Sequence, residues 1–244
     1  MLIAGEHPLT IYLNKQEIVT LMTLGVAPEA LVLGYLRNQR LIDDIRDIAS
    51  VQVDWETEAA AVTTRSGREL SPALTEHRTV TSGCGQGTMF GNLMADIDRL
   101  RLPQAGKFYE ATLKRLLDNV RLHESIYKQA GAVHGCALAT HDGEILMFIE
   151  DVGRHNAVDA IAGLMWLSST TGGDKIFYTT GRLTSEMVIK AAQMGIPSLV
   201  SRSGLTAMGY RIAQKVGITL VGRAQGRHFL IFTGHERFAP IAPS

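Results

Sequence analysis

The run Gly83-Cys84-Gly85-Gln86-Gly87 sets a thiol among glycines. Glycine admits positive φ and lets a backbone come close to another molecule. Cys84 therefore reads as an accessible thiol on a Gly-rich loop. In its thiolate form such a group is a nucleophile toward a carbonyl carbon or toward the sulfur of another persulfide or disulfide. The plainer reading is a Gly-rich turn with an incidental thiol. A dinucleotide loop fits poorly: after Gly85 and Gly87 the third glycine falls at Gly91, and no strand carrying a ribose-binding acid follows at the right distance. The second cysteine, Cys136, sits among Val133, Ala137 and Leu138 and reads as a small buried hydrophobe. His134 shares its side of a predicted strand, but no second pair stands at zinc spacing.

A second kind of chemistry is anion binding. Glu150-Asp151-Val152-Gly153-Arg154-His155-Asn156-Ala157 reads as a strand end feeding a helix start, where Asp151 or Asn156 can cap. Arg154 and His155 oppose the helix dipole there, which calls for a carboxylate partner or a phosphate. Two later strand-to-helix turns are alike: Thr179-Thr180-Gly181-Arg182-Leu183-Thr184 and Ser201-Arg202-Ser203-Gly204-Leu205-Thr206. Each combines hydroxyls, a glycine and an arginine. The hydroxyls are ordinary helix caps, yet such turns are also where open α/β sheets bind phosphorylated ligands. Arg223-Ala224-Gln225-Gly226-Arg227-His228 adds a third arginine-bearing loop.

These loops need elements to hold them. The first ~80 residues read as strand-rich, with strands near Leu9–Leu13, Ile18–Met22, Ile48–Trp55 and Glu58–Thr64. A helix opens at Pro28 and carries Leu31, Leu33, Tyr35 and Leu36, with Arg37 read as a surface cation. From about residue 106, Phe108, Leu113, Leu116, Leu117, Val120 and Ile126 mark one apolar helical face. A hairpin follows, Ala132–Thr140 and Glu144–Ile149 about His141-Asp142-Gly143. Helices are then predicted over Ala157–Leu167, Thr184–Met194 and Thr206–Val216. Strands over Lys175–Thr180, Pro197–Ser201, Ile218–Gly222 and Phe229–Thr233 alternate with them. This alternation predicts a layered α/β domain with helices on both faces of a largely parallel or mixed sheet. The expected division is a strand-rich N-terminal subdomain over 1–80, a Gly/Cys loop and linker over 81–105, and the α/β domain over 106–244.

The composition fits a globular, cytoplasmic chain: 45% hydrophobic, 20% charged, two cysteines. No apolar run approaches the ~18 residues of a membrane span, and the N-terminus does not read as a secretory signal. Twenty-four basic and 24 acidic residues give a net charge of +0 that hides an asymmetry. Residues 171–244 carry +6 and the first 170 carry −6. That excess is too dilute for duplex nucleic acid and suits a small phosphorylated ligand.

Together these segments resemble the formate dehydrogenase accessory sulfurtransferase family, FdhD, over nearly the whole chain. The resemblance is densest in Glu150–Asp159, in Gly181-Arg182-Leu183-Thr184-Ser185-Glu186-Met187-Val188 and in Leu220-Val221-Gly222, which follow in the family's order. It implies a three-layer, cytidine-deaminase-like C-terminal domain and a homodimer. It also implies a sulfur carrier that takes persulfide sulfur from a cysteine desulfurase. The sulfur is then passed to the molybdenum cofactor, bis(molybdopterin guanine dinucleotide), before that cofactor enters formate dehydrogenase. Cys84 matches the persulfide-carrying cysteine, and Arg223, Ala224, Gln225, Gly226, Arg227 and His228 fall on the cofactor loop, with Arg182 beside it. Guanine nucleotide is the natural surrogate for one arm of the cofactor. Two departures stand out: Gly87 replaces the usual second cysteine, and Arg223 stands where an aromatic residue is usual. A cofactor-binding chaperone without covalent sulfur transfer therefore stays open. So does a cysteine hydrolase with His134 or His155 as base.

Overall fold

The computed structural model describes residues 3–67, 80, 81, 97, 100, 102 and 106–240. Its contacts gather into two compact units. The first holds the N-terminal residues to Leu93 together with Ile126–His134 and Ile149–Ser169; the second holds Met94–Ser125, Gly135–Phe148 and Thr170–Ser244. Two later stretches thus group with the N-terminal residues.

The first unit is built on a five-stranded sheet. β1 (His7–Leu13) and β2 (Gln16–Thr23) form an antiparallel hairpin whose turn residues Asn14 and Lys15 have φ of 47° and 71°. β3 (Ile48–Asp54) and β4 (Ala59–Thr64) pair antiparallel, β4 lies parallel to β1, and β5 (Val80–Thr81) lies parallel to β2. The order is β3-β4-β1-β2-β5. Leu9, Ile11 and Leu13 alternate into the core, as period-two patterning requires.

Helix α1 (Pro28–Asn38) starts on its proline. It packs against a later helix, Arg154–Leu167, through two glycines. A Cβ on Gly34 would lie 1.7 Å from the Asp159 carbonyl oxygen, and one on Gly163 would lie 1.8 Å from that of Ala30. The backbones touch there, and side chains close the joint. Asn38 Nδ2 donates to Asp159 Oδ1 at 2.7 Å, and Arg37 donates to the Ala162 carbonyl at 3.1 Å while lying 5.2 Å over the Trp166 ring. Arg37 is therefore not the free surface cation expected from sequence; burial lowers its pKa to about 10.

In the second unit, β6 (Phe108–Tyr109) precedes α2 (Glu110–Leu122). The apolar face does not run on as one helix to Ile126, because the chain turns at His123. A separate short helix, α3 (Ile126–Ala130), then follows in the first unit. β7 (His134–Thr140) and β8 (Ile145–Asp151) come next, and the chain passes to the first unit within β8 before entering α4 (Arg154–Leu167). The second unit resumes with β9 (Lys175–Thr179), α5 (Ser185–Gln193), β10 (Ser198–Ser201), α6 (Ala207–Val216), β11 (Thr219–Gln225), β12 (His228–Thr233) and β13 (Phe238–Ala239). β13 pairs with β6.

The six-stranded sheet runs β12-β11-β10-β9-β7-β8. β10 is parallel to both β9 and β11; β7 is antiparallel to β9, and β12 to β11. Leu113, Leu116 and Leu117 of α2 pack with Ala137, Ile176, Tyr178, Val200 and Val221 on one face. Cys136, Leu138, Phe177, Leu199 and Leu220 alternate to the other face and are equally buried. Helices α5 and α6 pack on each other, and α6 also touches β11 and β12. Two parallel crossovers stepping in the same direction place both helices on one side, given the right-handed connection that such units favour. The expected α/β architecture, a mixed sheet between helical layers, is what forms.

Gly163→Ala is expected to destabilise the protein by roughly 2–4 kcal/mol, since backbone cannot yield as a side-chain tip can. Gly204→Ala, with nothing within 4 Å of its would-be Cβ, should stay within about 0.5 kcal/mol. Urea unfolding of the two variants checks the contrast.

Candidate functional site

The segment Glu150–Asp159 is internal to the first unit. Asp151 is a buried acceptor: its Oδ2 takes the Thr23 hydroxyl and the Leu24 N–H, and its Oδ1 takes the N–H of Gly153 at 3.0 Å and Asn156 Nδ2 at 2.9 Å. Asn156 also donates to the Met22 carbonyl at 2.7 Å. Glu150 accepts from the N–H groups of Ile126 and Tyr127, at 2.5 and 3.1 Å, and so caps α3. Asp151 thereby fastens the end of β2 to the start of α4. Arg154 and His155, read from sequence as anion-binding cations, are only 8% and 1% exposed. The helix starts at Arg154 rather than Ala157, so both residues lie in its first turn.

Burial is the largest influence on Asp151 and raises its pKa, against the pull of its hydrogen bonds to Thr23, Gly153, Asn156 and Leu24. An acid whose folded pKa lies above its unfolded one binds its proton more tightly when folded. Its contribution to stability therefore falls as pH rises from the ordinary carboxylate range through the raised value.

The second unit gathers the other motifs. Parallel pairing brings the carboxyl ends of β9, β10 and β11 to one edge, and the three following turns bond to one another. Arg202 N–H donates to the Thr179 carbonyl at 3.0 Å, and Leu183 N–H to the Gly204 carbonyl at 3.0 Å. Thr206 N–H donates to the Leu183 carbonyl at 3.1 Å, and Arg223 N–H to the Ser203 carbonyl at 2.7 Å. Gln225 Nε2 adds a bond to the Arg202 carbonyl at 3.2 Å. Thr206 caps α6 by accepting the Gly209 N–H at 3.2 Å.

The cofactor-loop residues divide by direction. The register of β11 against β12 shifts between Gly222 and Gln225, and Arg223 takes the left-handed φ of 52° inside this bulge. The bulge leaves Arg223 exposed and turns Ala224, 1% exposed, into the core. Gly226, at φ 59°, starts the two-residue connection to β12, and Gln225, Arg227 and His228 are exposed. Arg223, Arg227 and His228 line a cavity of about 420 Å³ with Glu110, Phe229 and Leu230. On its other side Arg223 borders a cavity of about 310 Å³ with Gly204, Leu205, Thr206, Ala207, Tyr210 and Phe232. Arg182 is exposed on the first turn and lines neither cavity. The sequence reading missed Glu110, Tyr210, Phe232 and Leu230, which carry no local signal and arrive from α2, α6 and β12.

Such an edge supplies guanidinium groups and aromatic walls, with a single carboxylate, Glu110, lining the larger cavity. That donor set suits phosphate oxygens. Cys84, the expected nucleophile, lies outside the described residues. Cys136 is fully buried and its Sγ donates to Thr179 Oγ1 at 3.4 Å, behind the first turn. It fills the role of a small core residue.

A sequence profile of the FdhD/NarQ family matches residues 4–239. The chain belongs to that family. Among its relatives are the sulfur carrier protein FdhD of Listeria monocytogenes, 32% identical over 96% of this chain and 90% of that protein. The sulfur carrier protein FdhD of Wolinella succinogenes is 31% identical over 95% of this chain and 80% of its own. A crystal structure described as a formate dehydrogenase accessory protein from Desulfotalea psychrophila superposes with a TM-score of 0.77 at 27% identity. It covers 97% of this chain and 90% of its own. The FdhD resemblance read from the sequence motifs is thereby established.

Asp151→Asn is expected to cost about 2–3 kcal/mol, because an amide NH₂ must then face donors that the carboxylate accepted. The fall in stability with rising pH assigned to Asp151 should also vanish, as read by urea unfolding between about pH 4 and 7.

Proposed function

We propose that this protein carries sulfur for the maturation of formate dehydrogenase. Cys84 is the carrier. Its thiolate attacks the outer sulfur of a cysteine desulfurase persulfide; a new S–S bond forms on Cys84 as the donor's breaks, and the electron pair leaves on the donor thiolate. The molybdenum bis(molybdopterin guanine dinucleotide) is the substrate that receives this sulfur, and formate dehydrogenase is its destination. A homodimer is part of the same reading.

The observation that carries the substrate half is the hydrogen-bonded edge of the second unit. Arg182, Arg202, Arg223 and Arg227 are all exposed along its turns and the adjoining hairpin. A pyrophosphate leaving water needs several such donors together, since an unpaired charge is costly. The names of the relatives support the sulfur half.

Gly87, standing where a second cysteine is usual in the family, favours one other reading. In it the protein holds and delivers the cofactor without bonding sulfur covalently. Mass spectrometry separates the two. After incubation with a desulfurase and cysteine, the carrier reading expects a one-sulfur adduct on Cys84 that Cys136→Ala retains and Cys84→Ala lacks. An unmodified Cys84 under these conditions leaves the delivery reading. In cells without their own carrier, Cys84→Ala should fail to restore formate dehydrogenase activity, while Cys136→Ala restores it at a stability cost of about 1 kcal/mol.

GDP should bind as a surrogate for one arm of the cofactor, more weakly as salt rises. Arg227→Ala should lower its affinity more than Arg121→Ala, whose guanidinium pairs with Asp118 on exposed α2 surface. Calorimetry on the two variants at two salt concentrations decides the placement; equal losses mean the nucleotide sits elsewhere.

A further inference from the structure

We propose that Ser201 is a positioning residue whose hydroxyl aims the backbone N–H of Arg182 at a phosphate oxygen of the ligand. This rests on the phosphate-binding reading above and identifies a donor that is not a side chain.

Ser201 ends β10 and is 0% exposed. Its Oγ donates to the Gly181 carbonyl at 2.6 Å and accepts from the Ser203 N–H at 2.9 Å. One side chain thus grips two peptides on two turns. In a trans peptide the C=O and N–H point in opposite directions. With the Gly181 carbonyl drawn to a buried hydroxyl, the N–H of Arg182 faces away from it, on the side where Arg182 is exposed. The flanking N–H groups are occupied: Gly181 donates to Thr179 Oγ1 at 3.0 Å and Leu183 to the Gly204 carbonyl at 3.0 Å. The Arg182 N–H has no partner among the described residues. A donor left open between two closed ones, on the residue that also carries a guanidinium, offers an anion two contacts at once.

The second peptide obeys the same geometry. Because Ser203 N–H turns inward to Ser201, the Arg202 carbonyl turns the other way, and there Gln225 Nε2 meets it at 3.2 Å. Ser201 therefore also fixes the anchor of the third loop. The register partner of Ser201 on β9 is Thr179, likewise 0% exposed, and its hydroxyl holds the Gly181 N–H. Threonine is thus accommodated at this depth of the edge, which makes Ser201→Thr the conservative replacement and Ser201→Ala the one that frees both peptides.

The test uses the full-length protein with GDP and inorganic pyrophosphate as probes, followed by calorimetry and by the amide proton–nitrogen spectrum. GDP is expected to shift the Arg182 amide of the wild type. Ser201→Ala should weaken both probes about tenfold, the scale of one charge-assisted hydrogen bond, with an unchanged dependence on salt. Arg182→Ala, which removes a charge, should flatten that dependence. Ser201→Thr should bind within about twofold of wild type. A wild-type Arg182 amide that stays still at saturating GDP overturns the proposal without any variant. So does Ser201→Ala binding as tightly as the wild type. Absence of GDP binding by the wild type would instead remove the phosphate-site reading, and this proposal with it.

Discussion

The arrangement of the second unit depends on the parallel pairing of β9, β10 and β11. Ser198 pairs with Ile176 on one side and Thr219 on the other; β9 and β10 end level at Thr179 and Ser201, and β11 runs past them into its bulge. This register puts three successive turns within hydrogen-bonding reach. The turns use that reach: Leu183 and Leu205 form a parallel bridge beyond the strands, and Arg223 is tied to Ser203. An exposed loop would ordinarily lose order, and ordering each donor on binding would lower affinity. Here the sheet has met that cost on folding. The donors stand ready because buried hydroxyls, Thr179 and Ser201, hold the peptides from below.

The first unit solves a different problem with similar means. Two helices approach until backbone meets backbone at Gly34 and Gly163, a geometry that no larger residue permits. The start of α4 then lies against the end of β2, where Asp151 gathers four donors from Thr23, Leu24, Gly153 and Asn156. A buried carboxylate with so many partners is costly to desolvate and costly to disturb. The densest motif in the sequence is, in this structure, a fastening. Its family signature and its packing role coincide at Asp151 and Asn156.

Much of the fold was legible. Period-two alternation marked β1, a run of β-forming residues marked β2, Pro28 marked the start of α1, and the strand-helix alternation after Gly131 pointed to the α/β architecture. The arginine-bearing turns at 182, 202 and 223 were also visible as turns, and the structure gathers their backbones on one edge. What escaped was non-local. β6 and β13 are two residues each and exist only because Phe108 and Phe238 pair across the chain. Helix α2 stops at His123 rather than running to Ile126, and only the structure shows Glu150, far along the chain, capping the next helix.

The sequence by itself determined residue chemistry and local direction: a thiol among glycines, arginines on glycine-bearing turns, a +6 half, and the motifs that mark the FdhD/NarQ family. Local propensity and patterning suffice for these because they depend on neighbours a few residues apart. Only the tertiary structure decided which cations are available. Arg37, Arg154 and His155 looked like the rest in the sequence, yet packing buried Arg154 and His155 and half-buried Arg37 against Trp166. Arg182, Arg223 and Arg227 stayed at the surface because their turns cap a sheet edge. Burial is a property of the whole chain's packing, and a string of residue types does not carry it.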